Sequence, residues 1–444
     1  MTINNCSKDF VVALFEGLNA KNIRYAVGGD YDRLPDAVGH DIDLWTDDVK
    51  GFREVLFDAI VNTGHHVLID NRTANGCNVA FYKRKGETLT FMKIDVMADT
   101  SYKSVLSLVS SKITAKSVVP YKNFYIMNPE GEALGHFLYP MFEWGFIKKD
   151  VYKSDILKNY KNPIFKEAFF SLWGKKTTDE VLAMIGEGRW NEIEKRMGAL
   201  RKKALLRGVA KAGTWINLAK TLYYIVCRYL KPSGTCLAFC GLDGAGKTTI
   251  LDELNGIFVD LLKKKKVCYG YWRPFVIPEI RELFGKKNSK EGVDQKAQKG
   301  KTIIEPEKKP KNKLVSVVKL LYYWLDYMLA LFKYGSIRSR GGMVLFDRHY
   351  VDMAVYPNRF EMGISRKLIL FLYRFVPKAD YTFFLYCTPE EILQRKQEFT
   401  ADEIKEQTER YLEVGRSIRN FVPIHTNTTI VAEIDEILSH VAKN

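Results

Sequence analysis

The stretch Cys236–Leu254 constrains the fold of this chain more than any other part of its sequence. It reads CLAFCGLDGAGKTTILDEL, so an apolar run precedes a Gly-x4-Gly-Lys-Thr pattern and a helix-like pattern follows it. Gly241, Gly244 and Gly246 allow the backbone to curl until its amide groups face a phosphate. The following helix would point its positive end at the same place. The pattern therefore predicts a strand, a phosphate-binding loop and a helix.

The side chains of this loop have mechanical roles if the ligand is ATP. Lys247 would reach the β- and γ-phosphate oxygens, and Thr248 would offer its hydroxyl to Mg²⁺. The alternative, a glycine-rich turn without a ligand, is disfavoured because strand and helix signals flank the pattern on the expected sides. The residues expected to contact the nucleotide are Gly241, Asp243, Gly244, Ala245, Gly246, Lys247, Thr248 and Thr249.

A second apolar run, GGMVLFDRHY, ends in Asp347 and Arg348. An acid at the carboxyl end of such a strand would hold Mg²⁺ together with Thr248, and the arginine would bind a phosphoryl group. Arg395 begins a charge-rich helical segment, 395–410, that would act as a mobile lid. A strand-end ion pair and a solvated helix face are the structural alternatives. The catalytic candidates are Lys247, Asp347, Arg348 and Arg395.

Composition sets broad limits on the rest of the chain. Its 444 residues carry a formal net charge of +16, and 46% of them are hydrophobic, which is typical of a folded protein of two or three domains. Residues 286–313 hold ten lysines against four acids, a local charge of +6. This segment has few apolar residues, and we expect a disordered insert there. The basic balance favours anionic ligands without selecting one.

Two apolar segments, Trp215–Leu230 and Leu314–Phe332, are interrupted by charged residues, whereas a membrane span needs about 20 predominantly apolar residues. We expect both to form helices packed on protein; contact of the first, basic one with a membrane surface is the minor alternative. Residues 1–10 are polar and unlike a signal peptide, so we expect a cytoplasmic protein. The expected partner is a small-molecule phosphate acceptor, not a specific nucleic acid. The oligomeric state stays open, with a dimer as one alternative.

The N-terminal part contains VGGDYDRLPDAVGHDIDLW, in which a glycine pair precedes Asp41 and Asp43. Carboxylates two residues apart on a strand point to the same face, where they repel unless a cation joins them. A later apolar run, FMKIDVM, would place Asp95 beside them on a neighbouring strand. Three such acids indicate a site for divalent metals. A turn followed by a solvated strand edge is the alternative.

Residues 235–444 resemble the thymidylate kinase family of P-loop nucleoside monophosphate kinases. The resemblance lies in GLDGAGKTT, in DRH and in TPEEILQRK after an apolar strand. It implies ATP and Mg²⁺ at the loop, a phosphate-holding role for Arg348 and a lid at about 395–410. YWRP, residues 271–274, stands where that family has Arg-Glu-Pro, which makes Arg273 a candidate for binding the acceptor.

The acceptor half departs from the family pattern. After the Asp-Arg motif the chain reads VDMAVYPNRF: Tyr356 stands at a position that contacts the acceptor in the family, but Pro357 replaces a glutamine. Proline has no N–H group and no amide side chain to donate. Thymidylate is therefore the family default, and a phosphorylated or hydroxylated sugar-like compound is the other acceptor considered.

The glycine pair and Asp41, Asp43 and Asp95 resemble the nucleotidyltransferase superfamily, in which such acids hold divalent metals. The fold class expected is thus α/β, a P-loop kinase domain with a parallel sheet preceded by an α+β nucleotidyltransferase-like domain with a helical extension. The expected segments are a nucleotidyltransferase-like domain, a helical extension, a basic helical linker and the kinase-like domain, at residues 1–128, 129–207, 208–234 and 235–444.

Three functional hypotheses follow. The first is an ATP- and Mg²⁺-dependent kinase of the thymidylate kinase type. The second is a metal-dependent nucleotidyltransferase whose P-loop domain regulates it or supplies its substrate. The third is an ATP-dependent switch or adaptor that uses the basic helix at 205–231.

Overall fold

The structure is a computed structural model. It describes residues 8–29, 31–38, 41–278, 312–395 and 400–443. The described chain divides into two compact units. The N-terminal unit comprises residues up to 83 and 90–227, and the C-terminal unit comprises 228–443 with the hairpin tip 84–89. The insert expected at 286–313 lies outside the described residues except for its last two.

The N-terminal unit contains a mixed seven-stranded sheet of order β3-β4-β5-β2-β1-β9-β8, and β6 and β7 form a separate antiparallel ribbon. Strand β2 pairs antiparallel with β1 and parallel with β5. The strands are β1 Tyr25–Gly28, β2 Ile42–Thr46, β3 His66–Thr73, β4 Gly76–Lys85, β5 Thr88–Met97, β6 Thr100–Tyr102, β7 Leu106–Val109, β8 Val118–Tyr121 and β9 Phe124–Met127.

Helices α1 and α2 cover one face of this sheet because their apolar residues recur with helical spacing. Phe10, Phe15 and Phe52 are buried in a core with the inward side chains of β1, β2 and β5. Asp48 caps α2 by accepting the N–H of Gly51. The first helices of the chain are α1 Lys8–Ala20, α2 Val49–Asn62 and α3 Ser111–Ala115.

A second core in the same unit is formed mainly by helices, with Leu106, Leu108 and Val109 of β7 at its edge. Phe137, Phe169 and Trp173 pack in it, and the Trp173 indole N–H donates to the carbonyl of Leu200 at 3.0 Å. The helical pattern after residue 129 thus has its own apolar centre. The helices after residue 129 are α4 Pro129–Glu143, α5 Asp150–Asn159, α6 Pro163–Trp173, α7 Lys175–Gly186, α8 Trp190–Val209 and α9 Ala212–Leu230, and all but α9 contribute buried residues to this core.

The C-terminal unit is built on a five-stranded sheet of order β11-β12-β10-β13-β14 in which every pair is parallel. The central strand β10 is buried along its whole length, as expected for a parallel sheet with helices on both faces. The strands are β10 Cys236–Gly241, β11 Val267–Tyr271, β12 Met343–Asp347, β13 Tyr381–Tyr386 and β14 Phe421–His425.

Seven described helices belong to the same unit. They are α10 Lys247–Leu262, α11 Lys313–Arg338, α12 Tyr350–Val355, α13 Arg366–Tyr373, α14 Pro389–Arg395, α15 Ala401–Gly415 and α16 Ile430–Val441. The chain is therefore a mixed α/β protein with a parallel sheet in its second half, as the alternation of strand and helix signals predicts. The finer assignment of domains stays a prediction.

Helix α11 is long and apolar enough to cross a membrane by length and composition, the one such helix among the described residues. Asp326 in its middle is fully buried and accepts the backbone N–H groups of residues 275–277 at 2.7–3.1 Å. The side chain of Tyr327 hydrogen-bonds the carbonyl of Trp272. These contacts hold the helix to the segment that follows β11.

Candidate active site

The loop between β10 and α10 has the conformation that its glycines permit. Gly241, Gly244 and Gly246 have φ values of 141°, 98° and 81°, a region that favours glycine. A Cβ atom at residue 241 would lie 2.2 Å from the carbonyl oxygen of Leu385. Any other residue there would push β13 away from β10. The loop thus curls at the carboxyl end of the central strand, where the first turn of α10 begins.

Lys247 is folded into this loop. Its Nζ donates to the carbonyl oxygens of Gly241 and Leu242 at 3.0 and 2.6 Å and lies 3.5 Å from a carboxylate oxygen of Asp243. Burial, reinforced by the charge of Arg348, lowers the pKa of Lys247. An incoming phosphate would offer this ammonium stronger acceptors than the two carbonyls.

Asp243 brings three cations to the loop. Arg348 Nη2 lies 2.5 Å from Oδ1 of Asp243, and Arg359 Nη1 lies 3.6 Å from Oδ2. Lys247 is the third cation, at 3.5 Å. A phosphate at the loop would compete with Asp243 for these three cations.

Arg348 is held in place from several directions. Its φ is 68°, an uncommon backbone conformation for a residue other than glycine. Its N–H donates to the carbonyl of Phe239 at 2.8 Å, and Nη1 donates to Asp352 at 3.3 Å. Burial opposes its charge, but Asp243 and the other acids outweigh burial and raise the pKa of Arg348. The guanidinium therefore remains charged.

Asp352 also holds the Arg348 side chain in place. It is fully buried and accepts hydrogen bonds from the Tyr411 hydroxyl and from the N–H of His349, both at 2.8 Å. The same carboxylate forms an ion pair with Arg348. Asp352 therefore positions Arg348 from outside the loop, whereas Asp243 contacts Arg348 from within the loop.

Asp347 ends β12 directly beside the loop strand, since it is in register with Phe239 of β10. Burial raises the pKa of its carboxyl group. Its Oδ1 atom is buried and has no hydrogen-bond partner within the described part of the chain, a cost that a cation or its bound water would relieve. Thr248 and Thr249 are exposed in the first turn of α10. These donors suit Mg²⁺, which prefers oxygen ligands and keeps several waters.

Arg395, the last residue of α14, also reaches the loop. Its Nη1 donates to the carbonyl of Gly244 at 3.2 Å. Tyr356 lies on another side, where its hydroxyl donates to Gln407 of α15 at 2.7 Å, and burial raises the pKa of that hydroxyl. Ala245 is buried, and its carbonyl accepts from the Thr426 hydroxyl at 3.1 Å.

Arg273 occupies a different environment. Its side chain is 1% exposed, its guanidinium carbon lies 4.2 Å from the ring centroid of Phe275, and Nη1 lies 3.6 Å from Asp326. None of its three side-chain nitrogens makes a hydrogen bond to a residue that the structure describes. An acceptor phosphate would reach this guanidinium only if the segment after β11 moved.

The N-terminal unit places its predicted acids together. Gly28, Asp43 and Asp95 lie side by side on β1, β2 and β5, because Asp43 is in register with both others. One carboxylate oxygen from each of Asp41, Asp43 and Asp95 lies within 4.8 Å of the others. This donor chemistry is suitable for a hard divalent cation.

Lys93 also belongs to this cluster. Its ammonium lies 3.1 Å from Asp41 and also forms an ion pair with Asp95. Burial opposes its charge, but Asp95 and Asp41 outweigh burial and raise the pKa of Lys93. Asn78 additionally donates to Asp95. A divalent cation on the same oxygens would have to displace the ammonium, so these residues provide oxygen ligands for a metal together with a competitor for them.

The glycine pair is likewise engaged by the protein itself. The N–H of Gly29 donates to the carboxylate of Glu132, in the first turn of α4, at 3.0 Å. Burial raises the pKa of Glu132, and the hydrogen bond from Gly29 opposes that shift. A carboxylate thus already accepts from this amide.

Several contacts in these two sites were not predicted from the sequence. Lys93 lies two residues before Asp95 on a strand, which would have put both on one face. Asp352 follows Arg348 by four residues, the spacing of a helical pair, and Asp326 is an acid inside an apolar helical run. Glu132 lies 103 residues from Gly29, and no local pattern joins them.

Comparison with known proteins gives little further guidance. No protein-family model matches the sequence, and no curated protein matches it significantly. Solved structures do match, among them a thymidylate kinase from Ehrlichia chaffeensis. The two chains are 18% identical, and the match covers 47% of this chain and 100% of that one with a TM-score of 0.31. A likeness at this level carries no argument, so the function rests on the geometry of the loop.

Proposed function

We propose that the C-terminal unit transfers the γ-phosphoryl group of ATP to a small acceptor, in a reaction of the thymidylate kinase type. The observation that carries this proposal is the convergence of Lys247, Arg348 and Arg395 on one glycine loop. Positioning and charge stabilisation supply most of the catalysis of phosphoryl transfer. A loop of amides with three nearby cations would provide both.

In the proposed reaction an acceptor oxygen attacks the γ-phosphorus, the bond to the β–γ bridging oxygen breaks, and ADP leaves. Lys247 would exchange its two carbonyl partners for β- and γ-phosphate oxygens. Arg348, fixed by Asp243 and Asp352, would stabilise the charge on the transferred group. Arg395 would act from the lid side of the loop.

Mg²⁺, when bound, would neutralise negative charge on the phosphates. Thr248 and Asp347 would hold it, and the buried, unpartnered Oδ1 of Asp347 supports this assignment. The acceptor is a nucleoside monophosphate, with thymidylate as the first to be tested, or a sugar-like phosphate or hydroxyl compound. Tyr356 would contact it, and Arg273 would do so once the segment after β11 has moved to expose its guanidinium.

The test is Mg²⁺-dependent formation of ADP from ATP with and without thymidylate, on the wild type and on Lys247→Ala. Acceptor-stimulated ADP formation that falls by about 100-fold or more in the variant is expected. If thymidylate gives no stimulation, a panel of nucleoside monophosphates and sugar phosphates replaces it. A chain that binds ATP but transfers phosphate to none of them would be a switch or adaptor and not a kinase.

A second candidate function belongs to the N-terminal unit, where the clustering of Asp41, Asp43 and Asp95 favours a metal-dependent nucleotidyltransferase. In that reaction pyrophosphate leaves and the nucleotidyl group remains on the acceptor. The measurement is release of pyrophosphate from ATP by the wild type, Asp43→Asn and Lys247→Ala. Loss in Asp43→Asn with activity retained in Lys247→Ala would assign activity to this unit.

A further inference from the structure

Helix α9, Ala212–Leu230, contacts its own unit through polar side chains. The amide of Asn217 donates to the carbonyl of Val105 at 3.4 Å, and the hydroxyl of Thr221 donates to the carbonyl of Ser104 at 3.1 Å. None of the residues of the helix is buried. A surface helix of a globular protein normally packs its apolar face inward. In α9 the half-buried face combines Asn217 and Thr221 with Leu218 and Tyr224, and most of the apolar side chains point elsewhere.

The opposite face of α9 is apolar, aromatic and exposed. Trp215, Ile216, Leu222, Tyr223 and Val226 are 54–65% exposed. At 100° per residue these five side chains lie within one half of the helix surface, away from Asn217 and Thr221. A continuous apolar face of this kind marks an interaction site and not a random scatter of surface residues.

The charge of the segment that contains α9 favours one partner for this face. Between Glu194 and Asp243 the chain contains ten lysines and arginines and no acidic residue. Lys202 and Lys220 are exposed among them. A second copy of the same face would bring like charges together in a symmetric contact. An anionic lipid surface offers the complementary charge, together with an interface in which tryptophan and tyrosine are favoured.

We propose that the apolar face of α9 docks on the surface of a membrane that contains anionic lipid. The helix lies in the interfacial plane, with Trp215, Leu222 and Val226 among the acyl chains and with Lys220 at the level of the headgroups. This function is independent of the phosphoryl transfer proposed above. It would hold the chain at a membrane while Asn217 and Thr221 keep the helix attached to its unit.

The experiment is cosedimentation of the full chain with vesicles of phosphatidylcholine alone and of equal parts phosphatidylcholine and phosphatidylglycerol. We expect binding to the anionic vesicles that is at least about 10-fold tighter than to the neutral ones and that weakens with added salt. Brominated lipid should quench tryptophan fluorescence in the wild type and quench it less in Trp215→Phe. Equal binding to both vesicles, or binding to neither, would overturn the proposal.

The matched pair of variants is the double substitution Leu222→Glu with Val226→Glu, and the single substitution Lys158→Glu on α5. Both lower the net charge by two, but only the first changes the apolar face. The first should lose vesicle binding and retain the wild-type melting temperature, whereas the second should bind nearly as well as the wild type. Equal loss in both would mean that charge alone acts, which contradicts docking by this face.

Sedimentation velocity without vesicles tests whether a second copy of the chain covers the apolar face of α9 instead. The proposal expects the wild type and the double variant to have the same oligomeric state. A wild-type dimer that the double variant converts to a monomer would assign the face to a second copy of the chain and overturn the assignment to lipid.

Discussion

Arg348 Nη2 and Asp243 Oδ1 lie 2.5 Å apart, so the residue that follows β12 is linked directly to the phosphate-binding loop. This ion pair joins two motifs 105 residues apart in sequence. It means that the cation proposed to stabilise the transferred phosphoryl group is already positioned at the loop before a ligand arrives. Preorganised charge of this kind avoids reorganisation during the reaction.

Arg348→Lys tests that positioning. Lysine keeps the charge between Asp243 and Asp352 but cannot contact a carboxylate and a phosphate simultaneously with a planar fork. We expect kcat to fall by about 1,000-fold with the affinity for ATP nearly unchanged. Steady-state kinetics and calorimetric titration of ATP measure the two quantities. Arg374→Lys on the surface is the control, and a kcat within a few-fold of the wild type in Arg348→Lys would contradict the role.

Asp347→Asn tests whether Asp347 is a metal ligand or a member of a structural ion pair. The amide removes a buried carboxylate whose pKa burial raises, so the melting temperature at neutral pH should stay the same or increase. The rate should fall by about 100-fold at saturating Mg²⁺ if Asp347 holds the metal. A much lower melting temperature in the variant would show a structural role of Asp347 instead. Asp352→Asn provides the contrast. It replaces with an amide the carboxylate that Arg348 and Tyr411 contact, and it should therefore destabilise the unit.

The sequence predicts the phosphate loop well because its information is local. The spacing from Gly241 to Lys247 determines both the backbone conformation and the start of α10, and no distant residue is needed to recognise it. The mixed seven-stranded sheet is different. CNVAFYKR and LTFMKIDVM alternate as strands should, but β8 and β9 are only four residues each, and their place beside β1 depends on tertiary pairing.

Contacts across long sequence separations were also beyond prediction. Asp326 lies 51 residues from Phe275, and Glu132 lies 103 residues from Gly29. The spacing of Asp41 and Asp43, with Asp95 on a neighbouring strand, indicated that these acids need a cation because they repel one another. It did not indicate that Lys93 would supply one, because alternation places a residue on a face without fixing how far its side chain reaches.

Lys93→Met tests whether the chain's own ammonium occupies a cation site. Removing it leaves Asp41, Asp43 and Asp95 without this counter-charge and should destabilise the N-terminal unit by about 3 kcal/mol. Millimolar Mn²⁺ should restore the melting temperature of the variant by several degrees and change the wild type much less. Thermal melts with and without Mn²⁺ measure both effects. Lys83→Met, which removes an ammonium that donates to the carbonyl of Thr63, is the control.

The opposite result has a clear meaning. If Lys93→Met melts at the wild-type temperature and does not respond to Mn²⁺, the carboxylates are solvated well enough to need no cation, and the cluster is a strand edge and not a metal site. A large Mn²⁺ response in the wild type would show instead that the metal displaces Lys93 readily.

His349 should make the stability of the C-terminal unit depend on pH. Burial lowers its pKa from 6.5 to about 3, and its ring lies against Tyr327 and Phe346 at 4.9 and 5.3 Å between centroids. Between these two pKa values the unfolded chain binds a proton that the folded chain does not. The free energy of unfolding therefore has its full value above pH 6.5 and falls as the pH is lowered toward 3.

At pH 5 the loss from this one ring should be roughly 2 kcal/mol relative to pH 8. His349→Phe retains an aromatic ring and cannot titrate, so its stability should change less than that of the wild type over the same interval. Urea unfolding followed at pH 8, 6 and 5 compares the two, with the pH 8 values showing any packing cost of the substitution itself. Parallel pH profiles for both proteins would mean that His349 is protonated in the folded state, which its burial between two aromatic rings argues against.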